Sequence, residues 1–271
     1  MADRVSLSAG IDNFQECYDL ALQHDLGLEL MTFAYPKILD GDWQGFIQQY
    51  RPLLSSLQGP LSLHGPFFDM TSGSPDPRIT DLTNERYHHA IRIAGELGIE
   101  TVVFHANFIA SIRNQPYRQG WHDKNMSFWG PMADFAQEHG VTIAVENMWE
   151  FDPNIIADVV RDINHSHLRV CLDVGHSYLF GDPEWSFDDW LTTLQPYLIH
   201  VHLNNNNGLM DVHHGLHNGI LDYPTILNKL RSLPTPPPFV LEIDDTAEMV
   251  ESLPFLKLKE TTSSLGEAKS R

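Results

Sequence analysis

The chain has 271 residues, 42% of them hydrophobic, enough to bury one large core or two small ones. Its 36 acidic side chains outnumber 17 basic ones, for a formal charge of −19, which counts against a nucleic-acid partner because no basic footprint is left for phosphates. Buried metal-binding carboxylates would also inflate the acidic count. No apolar run approaches the roughly 18 residues of a membrane span, and MADRVSLSAG lacks a signal-peptide pattern. Two cysteines, Cys17 and Cys171, make no disulfide framework, so a cytoplasmic location is expected.

Short apolar runs alternate with longer amphipathic segments eight times. In chain order the strands are VSLSAG from Val5, LGLELM from Leu26, PLSLHG from Pro60 and TVVFHAN from Thr101. TIAVENM from Thr142, LRVCLDVGH from Leu168, LIHVHLN from Leu198 and FVLEID from Phe239 complete the set. They are dense in Val, Ile, Leu and Phe, as strands covered on both faces must be. Between them NFQECYDLALQHD, ITDLTNERYHHAIRIAGELG and FDDWLTTLQPYL carry apolar residues at helical spacing. Gly98 and Gly140 precede strands, as left-handed helix ends do. The pattern predicts an α/β protein, a single (β/α)₈ TIM barrel over residues 1–260, with a doubly wound open sheet as the alternative. Residues 261–271 are expected to form a disordered tail. FIASIRNQPYRQGWHDK, after the fourth strand, reads as a loop.

In such a barrel the C-terminal strand ends face the active site. The third strand ends at His64, the fourth at His105 and the fifth at Glu146. The sixth ends at Asp173, with His176 three residues on; the seventh ends at His202 and the eighth at Glu242. Ionised carboxylates are rarely buried without a cation, so six consecutive strands ending this way point to metal. After His202, the spacing of Asp211 and His213 lets both turn toward one ion. His200 reads as a structural histidine one layer deeper, and His214 and His217 as facing solvent or substrate. The run Asn204–Asn207 reads mainly as turn chemistry, with Asn204 placed to orient a ligand.

These residues resemble the xylose isomerase-like TIM barrels, a superfamily that includes endonuclease IV and many sugar-phosphate isomerases and epimerases. RVCLDVGH and DVHHGLHNG carry the likeness, which runs over nearly the whole chain. Similarity to endonuclease IV implies three metal groups: His64, His105 and Glu146; Glu146, Asp173, His202 and Glu242; and His176, Asp211 and His213. Similarity to the epimerases implies a single ion on Glu146, Asp173, His202 and Glu242, with His176 binding substrate. The chain departs from both: DVGH stands where endonuclease IV has DTCH, and the epimerases' arginine after the seventh strand has no counterpart.

The first expectation is therefore a divalent-metal-dependent isomerase or epimerase of a small sugar or sugar phosphate. Proton transfer would run through a metal-stabilised enediolate, with Glu146 and Glu242 as base and acid. The alternative is an endonuclease IV-like phosphoester hydrolase with up to three ions, acting on a small phosphorylated substrate ahead of abasic DNA. One to three Zn or Mn ions per chain are expected. Phe67 and Trp149 are candidates to wall the substrate pocket, and Arg113, Arg118 and Lys124 to clamp a phosphate.

Overall fold

The computed structural model describes residues 2–259; the tail expected at 261–271 lies outside the described residues. Eight parallel strands close in sequence order into a barrel. They are β1 Val5–Ala9, β2 Gly27–Leu30, β3 Leu61–His64, β4 Thr101–His105, β5 Thr142–Glu146, β6 Leu168–Asp173, β7 Leu198–Leu203 and β8 Phe239–Leu241. Every expected strand is present, and the closing β1–β8 pairing excludes an open sheet. Among the described residues no helix is long and apolar enough to cross a membrane.

The helices wrap the outside as α1 Phe14–His24, α2 Pro36–Leu39, α3 Trp43–Leu54, α4 Pro77–Leu97 and α5 Gln115–Glu138. They continue as α6 Asn154–Ile163, α7 Val174–Leu179, α8 Phe187–Leu194, α9 Tyr223–Arg231 and α10 Thr246–Ser252. Local chemistry sets their ends. Asp76 caps α4 ahead of Pro77, and Gly98 ends it at φ 72°. Gly140 is also left-handed, at φ 69°, but lies one residue beyond the His139 cap of α5.

One expectation fails here. The segment read as a loop after the fourth strand is mostly α5, started by Asn114, whose side chain accepts from Tyr117 N at 2.9 Å. Trp121, Asn125, Phe128, Trp129 and Met132 form its buried face. Most of the apolar core lies between strands and helices, where Trp129, Trp190, Tyr50, Tyr87 and Tyr223 are fully buried. Val103, Ala144 and Cys171 form a separate small cluster. Each sits two residues before His105, Glu146 or Asp173, so strand alternation places it on the same face, directly beneath them.

Candidate metal centre

The register of the sheet assembles the site. His105 pairs with Glu146 across β4–β5, Glu146 with Cys171 across β5–β6, and Asp173 with His202 across β6–β7. Glu146 is fully buried at the centre of the cluster. Its Oε2 lies 3.3 Å from Nε2 of both His64 and His105, and its Oε1 lies 3.4 Å from Nδ1 of both His176 and His202. Glu242, one residue past β8, brings Oε2 to 3.0 Å from His202 Nδ1. The nine ligand-type residues thus fall into three groups whose donor atoms lie within 4.8 Å of one another: His64, His105 and Glu146; Glu146, Asp173, His202 and Glu242; His176, Asp211 and His213.

The DVGH turn does much of the positioning. Asp173 ends β6 and caps α7, its Oδ1 accepting the His176 amide at 2.5 Å. Asn147 grips the Asp173 backbone from the side, donating to its carbonyl at 3.0 Å and accepting its amide at 2.9 Å. Asn204 donates to Asp173 Oδ2 at 2.7 Å, and Tyr223 in turn donates to the Asn204 carbonyl. His176 Nε2 then reaches Asp211 Oδ1 at 3.3 Å, and His213 Nε2 reaches the same oxygen at 3.4 Å.

The other asparagines shape the loop. Asn205 accepts the Asn206 and Leu221 amides and donates to the Leu216 carbonyl, tying the segment into a closed turn. Asn207 accepts from Leu209 and Met210. His214 and His217 point to α10, toward Glu248 at 3.6 Å and Glu251 at 2.9 Å, and neither lines the cavity.

That cavity, of about 1120 Å³, opens above the cluster. His64, His105, His176, Asp211, His213 and Glu242 reach it, and Tyr35, Phe46, Phe67, Phe68 and Trp149 give it aromatic walls. Phe67 stacks on His105 at 5.1 Å between ring centroids. The expected phosphate clamp does not assemble. Arg113 is bound to Asp182 at 2.7 Å and lies over the Phe151 ring, and Arg118 is bound to Asp152 at 2.5 Å. Lys124 is exposed on α5, whose helical course carries it away from the barrel mouth. None of the three lines the cavity, and among the described residues Lys37 is the one Lys or Arg that does, beside Asp12, Asp69, Asp211, Glu242 and Asp244.

Two fully buried carboxylates, Glu29 and Glu150, were missed by reading strand ends. Glu29, in the middle of β2, accepts from Ser62 Oγ and from His200 Nε2, both at 2.8 Å. Glu150 accepts the Phe108 amide at 2.8 Å and the Met148 amide at 2.7 Å, joining the loops after β4 and β5. The signal for Glu29 was a charged residue inside the apolar run LGLEL; for Glu150, beyond a strand end, there was none.

The bare cluster is poorly satisfied. Both oxygens of Glu146, Oε2 of Glu242, Nε2 of His176 and both ring nitrogens of His202 are buried without a hydrogen-bond partner. Each such atom costs about 1–3 kcal/mol. Burial, opposed by His176 and reinforced by Glu242 and Glu146, pushes Asp173 up to about 7. Burial also acts on Glu242, but His202 and His213 outweigh it and leave the carboxyl at about 2. His213 is raised to about 9, burial being overcome by Glu242 and Asp211. Crowded carboxylates and imidazoles with orphaned lone pairs fit divalent cations, and donors without an ionised thiol suit Zn or Mn. Cys171 reaches the Glu146–His202 pair, but burial raises its pKa far above neutrality and keeps the sulfur a thiol.

Fold and site together define a (β/α)₈ barrel whose C-terminal strand ends carry clustered side chains of metal-ligand type. Residues 20–259 match the xylose isomerase-like TIM barrel family, and the chain belongs to it. The uncharacterised protein MJ1311 of Methanocaldococcus jannaschii is 30% identical over 203 residues, 73% of this chain and 69% of that one. Among solved structures, a D-tagatose 3-epimerase-like protein superposes with a TM-score of 0.77 at 25% identity, covering 92% of this chain and 94% of its own. The TTHB071 protein of Thermus thermophilus, soaked with ZnCl₂, gives 0.71 at 26% identity, with 93% and 97% covered.

Proposed function

We propose that the protein is a divalent-metal-dependent isomerase or epimerase of a small sugar. Support comes from the family and from the likeness to a D-tagatose 3-epimerase-like protein. The observation that carries the reading is the character of the cavity: ligand-type side chains on its floor, aromatic walls, and five carboxylates around one lysine. Aromatic faces suit the C–H faces of a sugar ring. The excess of carboxylates disfavours a polyanion and favours a neutral sugar over a sugar phosphate. Glu146, Asp173, His202 and Glu242 would hold the cation, which when bound supplies Lewis-acid polarisation of a substrate carbonyl.

The two glutamates expected to exchange the proton are unequal. Glu242 lines the cavity, whereas Glu146 is sealed among four imidazoles. Glu242 is therefore the group that takes a proton from the carbon beside the carbonyl, and Glu146 serves as a shared ligand. One base acting on one face can move a proton between neighbouring carbons, which aldose–ketose isomerisation requires together with transfer of the hydroxyl proton from one oxygen to the other. Inversion at one carbon needs a second proton carrier, and His213, whose Nδ1 lies 3.9 Å from Glu242 Oε2, is a titratable residue of the same cavity.

One observation favours a second reading, hydrolysis of a small phosphoester. The His176–Asp211–His213 group and the two-sided contacts of Glu146 suit more ions than proton transfer at carbon needs. Metal analysis of the purified protein, with neutral sugars assayed for isomerisation and solvent-deuterium uptake and small sugar phosphates assayed for phosphate release, tests both. Isomerisation with deuterium uptake that disappears in Glu242→Gln is expected. Three ions per chain with phosphate release and no deuterium uptake would establish the hydrolase instead.

A further inference from the structure

Glu29 stands apart from the ligand set, on a strand that contributes none of it, yet it approaches the set from below. Its Oε1 lies 3.0 Å from His202 Nε2. The contact is close without being aligned as a hydrogen bond, so in the bare chain both atoms remain unpartnered. The opposite nitrogen, Nδ1, faces Glu242 Oε2 at 3.0 Å and Glu146 Oε1 at 3.4 Å. The other oxygen of Glu29 is pinned by Ser62 Oγ and His200 Nε2, both at 2.8 Å, and the side chain is fully buried.

A histidine that binds a cation through one nitrogen must carry its proton on the other, and an acceptor there fixes both tautomer and ring angle. We propose that Glu29 is a positioning residue for the cation site, receiving the Nε2–H of His202 from β2 and thereby presenting Nδ1 to Glu146, Asp173 and Glu242. The inference rests on the metal-binding reading above. It also gives the buried His200 a purpose: together with Ser62 it holds the Glu29 carboxylate in place.

The test compares wild type with Glu29→Gln, each stripped of metal and titrated with zinc against a chromophoric chelator. An affinity loss of about 10- to 100-fold is the expected result, the range for removing a carboxylate behind a ligating histidine. Wild-type affinity in a folded Glu29→Gln protein would overturn the role of Glu29 alone. A wild type that takes up no zinc would overturn the metal reading, and this inference with it. Should Glu29→Gln not fold, imidazole ¹⁵N spectra of the zinc-loaded wild type decide. The Nε2–H tautomer at His202 with Nδ1 ligated supports the proposal, and a proton on Nδ1 refutes it. A merely structural Glu29 would change the unfolding temperature of the stripped protein without dictating that tautomer.

Discussion

Asn204 donates to Asp173 Oδ2 across 2.7 Å, and its own Oδ1 occupies the space a Cβ on Gly175 would need, 1.9 Å away. The glycine of DVGH is thus required for close approach: α7 can start beside the asparagine loop only where no side chain intervenes. Gly175→Ala should displace Asn204, cost about 1–3 kcal/mol through overpacking and weaken metal uptake. Thermal unfolding of the stripped and loaded variant measures both effects. An alanine variant with wild-type values would mean that Asn204 has another place to go.

Glu146→Gln should leave the fold intact and reduce turnover at least about 100-fold, because glutamine keeps the shape but loses a charge shared by two metal groups. Circular dichroism checks the fold, and elemental analysis should show metal lost with activity. Turnover at the wild-type rate would remove Glu146 from the mechanism.

The third group can be tested by itself. Asp211→Asn combined with His213→Ala should lower metal content by about one ion per chain if these residues hold a cation with His176. Constant metal content with weakened sugar affinity would show that they serve substrate, whose hydroxyls would lose their partners. Elemental analysis of both proteins after one purification separates the outcomes.

Strand ends were legible because strand alternation and the barrel's polarity together say where a side chain must point. His64, His105, Glu146, Asp173 and His202 each close an apolar run. Glu29 was legible only as a charge inside an apolar run, because strand alternation alone cannot tell a barrel's interior from its outer face. Its position became meaningful only when closure of the barrel set its carboxylate against His200 of β7. The start of α5 was hidden by Pro116 and Gly120, which punctuate its first turns before the buried face begins at Trp121. Arg113 and Arg118 read as a phosphate clamp because their carboxylate partners lie far along the chain, at Asp182 and Asp152.

Glu150 predicts a pH dependence of stability. Burial, against the pull of the Phe108 and Met148 amides, raises its pKa from 4.5 to about 7. The folded state therefore binds this proton more tightly than the unfolded chain. The associated stability is fully present below about pH 4.5 and lost as pH rises through 7, by about 3 kcal/mol in all. Denaturant unfolding from pH 5 to 8 should show this component in wild type but not in Glu150→Gln. Parallel profiles would refute it.

Both thiols should be inert in the native protein. Burial pushes Cys17 up to about 12 and Cys171 higher still, so neither forms appreciable thiolate at neutral pH. A chromogenic disulfide reagent should detect no thiol before denaturation and two afterwards. Rapid labelling of the folded chain would contradict this burial.

The ligand-type side chains are drawn from the ends of six different strands, β3 through β8, from α7 and from the loop after β7. In an extended chain they lie scattered over more than half its length and offer an ion nothing better than isolated imidazoles and carboxylates. An ion that binds the closed barrel and not the open chain acts as a clasp, adding stability by mass action as its concentration exceeds the dissociation constant. Chelators would then behave as mild denaturants, and metal stoichiometry in a preparation would report the fraction of molecules whose barrel has closed. A fragment lacking the final strand would forfeit Glu242 and the clasp together.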